Sequence, residues 1–279
     1  MNEKLATQTR TECYQRSNGT RISYRFTPAR GSGDTTPIIF LHGTFQSSRV
    51  WRSIGVTDQL HGDRPLIEID MLGHGGSDKP RDPGAYLTDE LARDVLGIAD
   101  SKGFDRFHTV GFSLGARTSL RIPFLAPGRI ESMVCVGGSH RSQPSMADRV
   151  FFPGARAALE RGCMDAFMNQ WDMRRESPLP ASARERLRAN DPRALMAFFD
   201  SQDFDSGHDI DDYTSIFTPA LFLAGELDSE RLADSRLLAA AMPTAYFELL
   251  AGADHSASLR ASAPGILNHF DTLELSAAA

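Results

Sequence analysis

Ser113 lies at the centre of a Gly-Phe-Ser-Leu-Gly sequence, residues 111–115, in which its hydroxyl could act as a nucleophile. A β-rich run precedes this motif and a helical pattern follows it, so the serine is predicted to stand in a tight strand-to-helix turn. Such a turn exposes the hydroxyl, and the flanking glycines let strand and helix approach closely. The backbone N–H of Leu114, at the start of the helix, could stabilise an oxyanion. This pattern indicates acyl-transfer chemistry.

A nucleophilic serine needs a neighbouring base, and the base needs a carboxylate that fixes its tautomer and orientation. Of the eight histidines, only His255 follows a late predicted strand, in a Gly-Ala-Asp-His turn, and Asp228 follows the strand before it. Glu226 and Asp254 are alternative acids because they lie close by in the sequence. A carboxylate after the strand that ends near Gly137 is a further placement, although the Gly-Ser-His that follows offers no acid. We therefore predict a Ser-Asp-His triad.

Two further glycine turns follow predicted strands. In the first, a bend at Gly43 would let the backbone N–H of Thr44 face the serine as the second oxyanion donor. The second, residues 70–80, is interpreted as a structural turn in which Asp70 and Ser77 bond to local backbone. A phosphate loop is excluded there because no Gly-Lys-Ser/Thr sequence is present.

The elements that must position these residues are short, nearly continuous apolar runs alternating with helical patterns. Apolar runs of this kind are typical of parallel strands covered on both faces. Leu91, Val95 and Ile98 recur at helical spacing between two of them, with Thr88 as the predicted N-cap. The rhythm predicts a doubly wound α/β sheet with its ligand site at the carboxyl ends of the strands. The predicted strands are residues 37–41, 66–69, 107–110, 133–136, 220–223 and 245–250.

This rhythm breaks between about residues 141 and 214, where helical patterns rich in aromatic residues, methionine and arginine show no clear strand. We predict that this segment is a helical cap inserted into an α/β core formed by residues 1–140 and 215–279. In such folds the cap forms one wall of the pocket above the nucleophile. The predicted substrate-binding residues are Phe112, Phe151, Phe152, Phe167 and Trp171.

The aromatic content of the cap favours an apolar pocket and an uncharged, small to medium substrate. The same segment carries arginines that could instead place a cation in the pocket and favour a substrate with a carboxylate. The arginines in question are Arg149, Arg156, Arg161, Arg174 and Arg175.

Charge, hydropathy and cysteine content indicate which partners and which cellular location to expect. The formal net charge of −6 provides no basic field for a nucleic-acid partner. Neither a secretory leader in residues 1–10 nor a membrane-spanning run is apparent, which predicts a cytoplasmic protein. Cys13, Cys135 and Cys163 fit neither a disulfide framework nor a metal site, so we expect reduced packing residues.

Taken together, the motifs resemble those of the α/β-hydrolase family, in its small cap-bearing, esterase-like branch. The His-Gly turn, the loop at residues 70–80, the serine motif, the Asp228 turn and the His255 turn follow one another in the family's order. The resemblance implies an eight-stranded, mostly parallel sheet, a helical cap after the sixth strand, and a site that needs no cofactor and no metal. Serine at position 113 disfavours the dehalogenase and epoxide hydrolase branches, which place an aspartate there.

The function that the resemblance implies is a serine hydrolase that cleaves a small-molecule ester or lactone through an acyl-enzyme intermediate. Carbon–carbon bond hydrolases, perhydrolases and non-catalytic receptors share the same triad and stay open as alternatives. Phe112 stands where many carbon–carbon hydrolases have Asn, and Ala116 stands where many relatives have a second glycine. The first of these differences disfavours carbon–carbon cleavage.

Overall fold

An eight-stranded sheet forms the centre of the computed structural model, which describes residues 8–30, 36–62, 64–142, 144–175 and 177–277. The spatial order is β1-β2-β4-β3-β5-β6-β7-β8. Strand β2 pairs antiparallel with β1 and β4, and all other pairs are parallel. The predicted doubly wound, mostly parallel sheet is therefore confirmed. The strands are β1 (Arg10–Gln15), β2 (Arg21–Thr27), β3 (Ile38–Leu41), β4 (Leu66–Ile69), β5 (Phe107–Phe112), β6 (Ile130–Val136), β7 (Ala220–Gly225) and β8 (Ala245–Leu250).

Helices connect the strands from β3 onward, and five α-helices of the described chain lie between β6 and β7. Short 3₁₀ helices at Pro83–Tyr86 and Ile210–Ser215 complete the connections. The α-helices are α1 (Arg49–Ser53), α2 (Val56–Gln59), α3 (Thr88–Ser101), α4 (Leu114–Leu125), α5 (Met146–Val150), α6 (Ala155–Glu160), α7 (Met164–Asp172), α8 (Ala181–Arg188), α9 (Pro192–Phe204), α10 (Ser229–Ala241), α11 (His255–Ala261) and α12 (Ala263–Ala277).

The sheet separates two hydrophobic clusters, which explains why its strands read as continuous apolar runs. In β3, Ile39 and Leu41 belong to one cluster, whereas Ile38 and Phe40 belong to the other. Successive side chains of a strand point to opposite faces, so both faces of β3 must be covered. Trp51 of α1 covers one of them, with its ring centroid 5.4 Å from that of Phe40.

Helix α3 has the predicted apolar face, but its N-terminus is capped in another way. Leu91, Val95 and Ile98 are buried as expected. Thr88 is the first helical residue rather than the N-cap, and its backbone N–H donates to Asp205 Oδ2 at 3.0 Å. The prediction of a Thr88 cap was wrong because a carboxylate distant in sequence satisfies this end of the helix.

The loop at residues 70–80 has the contacts of the structural turn that its sequence predicts. The Asp70 carboxylate accepts from the backbone N–H of Ser48 at 2.7 Å and of Gly76 at 2.8 Å. Ser77 Oγ donates to the Asp70 carbonyl at 2.5 Å and accepts from Ser23 N at 2.8 Å. These bonds hold the loop to β2 and to the segment before α1.

The three cysteines are all free thiols, but they differ in burial. Cys135 packs inside the core, and burial raises the pKa of its thiol. Cys13 and Cys163 are exposed, so their predicted role as packing residues is wrong.

No helix in the described part of the chain is long and apolar enough to span a membrane. Residues 1–7, most of the segment whose sequence predicts no secretory leader, lie outside the described residues.

Candidate active site

Ser113 occupies the sharp turn between β5 and α4, with φ of 52° and ψ of −106°. A non-glycine residue at positive φ is strained, and the close packing around the turn holds it there. A Cβ atom on Gly115 would lie 2.0 Å from the Leu41 carbonyl oxygen, and one on Gly111 would lie 2.5 Å from Ala116 N. The two motif glycines are therefore required by the approach of helix to strand, as the sequence predicts.

The turn brings the serine hydroxyl to an imidazole that a carboxylate holds from its other side. His255 Nε2 lies 3.0 Å from Ser113 Oγ, and His255 Nδ1 lies 2.5 Å from Asp228 Oδ2. With its proton on Nδ1, the ring donates to Asp228 and accepts from the serine hydroxyl. The three residues follow β5, β7 and β8, so they meet at the carboxyl edge of the sheet.

The two alternative acids are engaged elsewhere. Glu226 Oε2 accepts from Gly252 N at 2.8 Å and ties together the turns after β7 and β8. Asp254 Oδ1 accepts from Ala257 N at 2.7 Å and caps α11. Asp228 stands at the N-cap position of α10 but makes no side-chain capping bond, which leaves its carboxylate to the imidazole.

The histidines of the glycine turns are buried and remain structural. His42 Nε2 accepts from Met71 N at 3.0 Å, while its Nδ1 donates to the carbonyl of Gly43 at 2.7 Å. Burial lowers the pKa of His42, and it lowers the pKa of His74 to about 3. Both rings are neutral at physiological pH, and both form hydrogen bonds to the backbone of their turns.

The two predicted oxyanion donors lie beside the serine. Thr44 and Leu114 line the same cavity as Ser113, and no described residue accepts from the backbone N–H of either. Gln46 holds the Thr44 turn because its Oε1 accepts from Gly43 N at 3.0 Å. Two unused amides beside a nucleophile can stabilise the charge that develops on a carbonyl oxygen under attack.

A cavity of about 710 Å³ opens above Ser113. Its walls come from the strand ends on one side and from α5, α7, α8 and α9 on the other. The larger apolar residues that line it are Phe45, Phe112, Leu114, Met146, Val150, Phe151, Trp171, Leu179, Leu187, Phe198, Phe199 and Leu227.

Three of the predicted substrate-binding residues line this cavity and two do not. Phe112, Phe151 and Trp171 lie in the wall, and Phe112 also stacks on the His255 ring at 5.1 Å between centroids. Phe152 and Phe167 were predicted wrongly. They pack against each other at 5.1 Å behind the wall, where both are buried.

Phe45 is an important wall residue that the sequence analysis missed. Its ring lies 4.7 Å from that of Phe151 and 6.4 Å from that of Phe199, so it joins the sheet edge to the helices above it. The signal was present in the sequence, because Phe45 directly follows the predicted oxyanion turn at Thr44. Its backbone is also in the left-handed region, with φ of 67°.

Arginines also line the cavity. Of those considered in the sequence, Arg149 and Arg175 do so, and Arg149 is paired with Glu230 at 2.5 Å. Arg156, Arg161 and Arg174 do not line it. The remaining arginines in the wall, which the sequence analysis did not single out, are Arg117, Arg186 and Arg231.

A serine in a strained strand-to-helix turn, with an acid and a histidine after later strands, defines the α/β-hydrolase arrangement. The chain belongs to the α/β-hydrolase fold family, whose sequence profile matches residues 36–260.

Individual proteins show the same relationship. The chain is 24% identical over 242 residues to the Bacillus subtilis (strain 168) protein named "Putative 2-succinyl-6-hydroxy-2,4-cyclohexadiene-1-carboxylate synthase", covering 81% of this chain and 86% of that one. Its fold is similar to that of an esterase from Rhodococcus sp. ECU1013, with a TM-score of 0.70, 24% identity, and coverage of 88% and 91% of the two chains. An enol-lactonase from Burkholderia xenovorans LB400 is similar at a TM-score of 0.72 and 20% identity, over 95% and 98% of the two chains.

Proposed function

We propose that this protein is a serine hydrolase that cleaves carboxylic esters or lactones through an acyl-enzyme intermediate. The observation that carries the proposal is the continuous hydrogen-bonded path from Asp228 through His255 to Ser113, with distances of 2.5 and 3.0 Å. The relatives named as an esterase and an enol-lactonase support the same class of reaction.

In the proposed first step, Ser113 Oγ attacks the carbonyl carbon and its proton moves to His255 Nε2. Asp228 stabilises the imidazolium that forms, and the backbone N–H groups of Thr44 and Leu114 stabilise the oxyanion. The imidazolium then protonates the leaving alcohol, which departs and leaves the acyl group on the serine. A water molecule, deprotonated by the same imidazole, releases the acid and restores the serine.

The segment at residues 141–214 acts in this proposal as the cap domain on the core of residues 1–140 and 215–279. Phe151 and Trp171 from this segment, together with Phe45 and Phe112 of the core, would hold the apolar part of a small to medium substrate. Each buried methylene would contribute about 0.8 kcal/mol, close to fourfold in specificity, until the cavity is filled.

The test is kcat/KM for a series of p-nitrophenyl esters from acetate to decanoate, with simple lactones alongside and Ser113→Ala as the control protein. We expect turnover of several of these compounds, a rise in kcat/KM with chain length followed by a plateau, and loss of turnover in the variant. The proposal fails if no ester or lactone is hydrolysed, or if Ser113→Ala keeps its activity. If no ester or lactone is hydrolysed, the remaining hypotheses for the site are carbon–carbon hydrolysis, perhydrolysis and ligand binding without catalysis.

A further inference from the structure

Arg117 is a buried cation in the wall of the cavity, one helical turn after Ser113 in α4. Only 8% of the residue is exposed. Its Nη1 donates to Ser142 Oγ at 2.8 Å, but its buried Nε has no hydrogen-bond acceptor in the described part of the chain. A buried guanidinium without a carboxylate is costly, because it loses hydration that no partner replaces.

The carboxylate that would be the natural partner of Arg117 is already engaged. Asp205 Oδ1 accepts from Arg121 Nη2 at 2.8 Å, and Asp205 Oδ2 accepts from Thr88 N at 3.0 Å. Burial and the positive charge of Arg231 lower the pKa of Arg117 to about 10, although the nearby Asp205 carboxylate acts to raise it. The guanidinium is therefore still charged at neutral pH.

Arg231 adds a second guanidinium to the same wall, three residues after Asp228. Its side chain is 12% exposed, and it lies 3.8 Å from Asp234. That carboxylate is shared, since it also accepts from Ser139 Oγ at 2.6 Å and lies 3.5 Å from Arg141. Arg117 and Arg231 thus place two positive charges in the wall, and the carboxylates nearest to them, Asp205 and Asp234, are each already bonded to other groups.

We propose that the substrate carries a carboxylate that pairs with Arg117, with Arg231 contributing to the same anion site. The inference rests on the proposed hydrolase function and adds the substrate class to it. Four residues of helix separate the serine from the arginine by about 6 Å along the axis, so one small molecule can reach both. The planar guanidinium matches a carboxylate, and the apolar wall suits the chain between the two ends. A half-ester of a dicarboxylic acid is the simplest compound of this class.

Two matched esters measure the proposed preference. p-Nitrophenyl hydrogen adipate carries the free carboxylate, and p-nitrophenyl methyl adipate carries the same chain with that carboxylate capped. We expect kcat/KM for the free acid to exceed that for the capped ester at least about tenfold, and Arg117→Met to lower this ratio by about tenfold, or 1.4 kcal/mol. Arg117→Lys, which keeps the charge but loses the planar fork, should retain part of the preference.

Arg161→Gln is the matched control, because it removes the same charge from an exposed position at the end of α6 that does not line the cavity. In Arg161→Gln, the ratio of kcat/KM for the free acid to kcat/KM for the capped ester should equal the ratio in the wild type. The inference is overturned if the wild type does not prefer the free acid, or if Arg117→Met and Arg161→Gln change the ratio equally. Should Arg117→Met fail to fold, Arg231→Gln tests the same site and is expected to lower the ratio.

Binding of adipate separates this inference from the hydrolase proposal. By calorimetry, adipate should bind the wild-type protein at least about tenfold more tightly than Arg117→Met, whether or not any ester is turned over. If esters are hydrolysed but adipate does not bind, the carboxylate site is wrong and the hydrolase stands. If adipate binds but no ester or lactone is hydrolysed, the hydrolase is wrong and the anion site stands. Equal binding of inorganic phosphate would contradict the assignment of a carboxylate ligand.

Discussion

At the scale of single residues, the partner of His255 is decided by which nearby carboxylates already accept hydrogen bonds from the backbone. Glu226 holds a turn and Asp254 caps a helix, and each does so with a backbone N–H as its partner. Asp228 has no such bond to a helix end, and its oxygen is bonded to His255 instead. Because the other two carboxylates are bonded to backbone N–H groups, Asp228 is the one of the three that pairs with the imidazole.

Replacing the proposed nucleophile should remove turnover without unfolding the protein. Ser113→Ala deletes one oxygen from the turn between β5 and α4, and the strained backbone remains held by Gly111 and Gly115. We expect turnover of any ester substrate to fall at least about 10³-fold. The assignment would be wrong if the variant, shown to be folded by circular dichroism, kept more than about a tenth of the activity.

The three carboxylates should differ sharply in their effect on catalysis. Asp228→Asn is expected to lower kcat by orders of magnitude, because the amide favours the wrong imidazole tautomer. Asp254→Asn is the control, since an Asn side chain can still cap α11. Steady-state kinetics of both variants on one ester provides the comparison. A larger loss in Asp254→Asn or Glu226→Gln than in Asp228→Asn would mean that the acid is misassigned.

The sequence predicted that Ser113, Asp228 and His255 lie close together because each follows the end of a strand within a few residues, and strand ends are visible as ends of apolar runs. The lining of the cavity was less predictable. Phe152 and Phe167 have the same character as Phe151 in the sequence, and only the packing of α7 against its neighbours decides which ring faces the cavity. Arg117 could not be identified from the sequence, because only the folded structure shows that its guanidinium is buried without a hydrogen-bonded carboxylate.

At the scale of elements, the turn between β5 and α4 is packed so closely that a side chain on its glycines would not fit. A methyl group on Gly115 would overlap the backbone of Leu41 in the adjacent strand, and backbone cannot move aside as a side chain can. The G-x-S-x-G pattern is therefore as much a requirement of packing as of chemistry.

The N-terminus of α3 shows the opposite case. The acceptor for its backbone N–H is Asp205, far along the chain, and no local sequence pattern reveals this contact.

Gly115→Ala should destabilise the protein strongly or prevent its folding. The added Cβ would lie 2.0 Å from the Leu41 carbonyl oxygen, so β3 and α4 would have to separate. We expect a loss of more than about 4 kcal/mol in the free energy of unfolding, measured by urea titration. Gly84→Ala is the control, since its Cβ would be 3.4 Å from Asp82 Oδ1 at an exposed position, and its effect should stay below about 1 kcal/mol. Equal losses in the two variants would contradict this account of the turn.

At the scale of the whole molecule, buried and half-buried histidines link stability to pH. Burial lowers the pKa of His269 to about 4 and that of His74 to about 3, both below the ordinary value of 6.5. The unfolded chain therefore binds protons that the folded chain does not bind as the pH falls below 6.5. Stability from these groups is fully present above that pH and is lost as the pH falls toward the folded pKa values.

We expect the free energy of unfolding to decrease between about pH 7 and pH 4, by up to about 1.4 kcal/mol per pH unit for each such group. His269→Gln should make this decrease less steep, because the amide can still bond to Ser132 Oγ, which lies 3.0 Å from the imidazole Nε2, but does not titrate. Urea titrations of both proteins across this range measure the difference. Parallel curves would show that His269 does not contribute.

The most direct test of the proposed mechanism is covalent labelling of the folded protein with a fluorophosphonate, followed by mass spectrometry of the intact chain and of its peptides. We expect one phosphonyl adduct per chain, located on Ser113, and a labelling rate that drops by orders of magnitude in Asp228→Asn because the imidazole no longer activates the serine. An unlabelled protein, or an adduct on another residue that forms equally fast in Ser113→Ala, would contradict it.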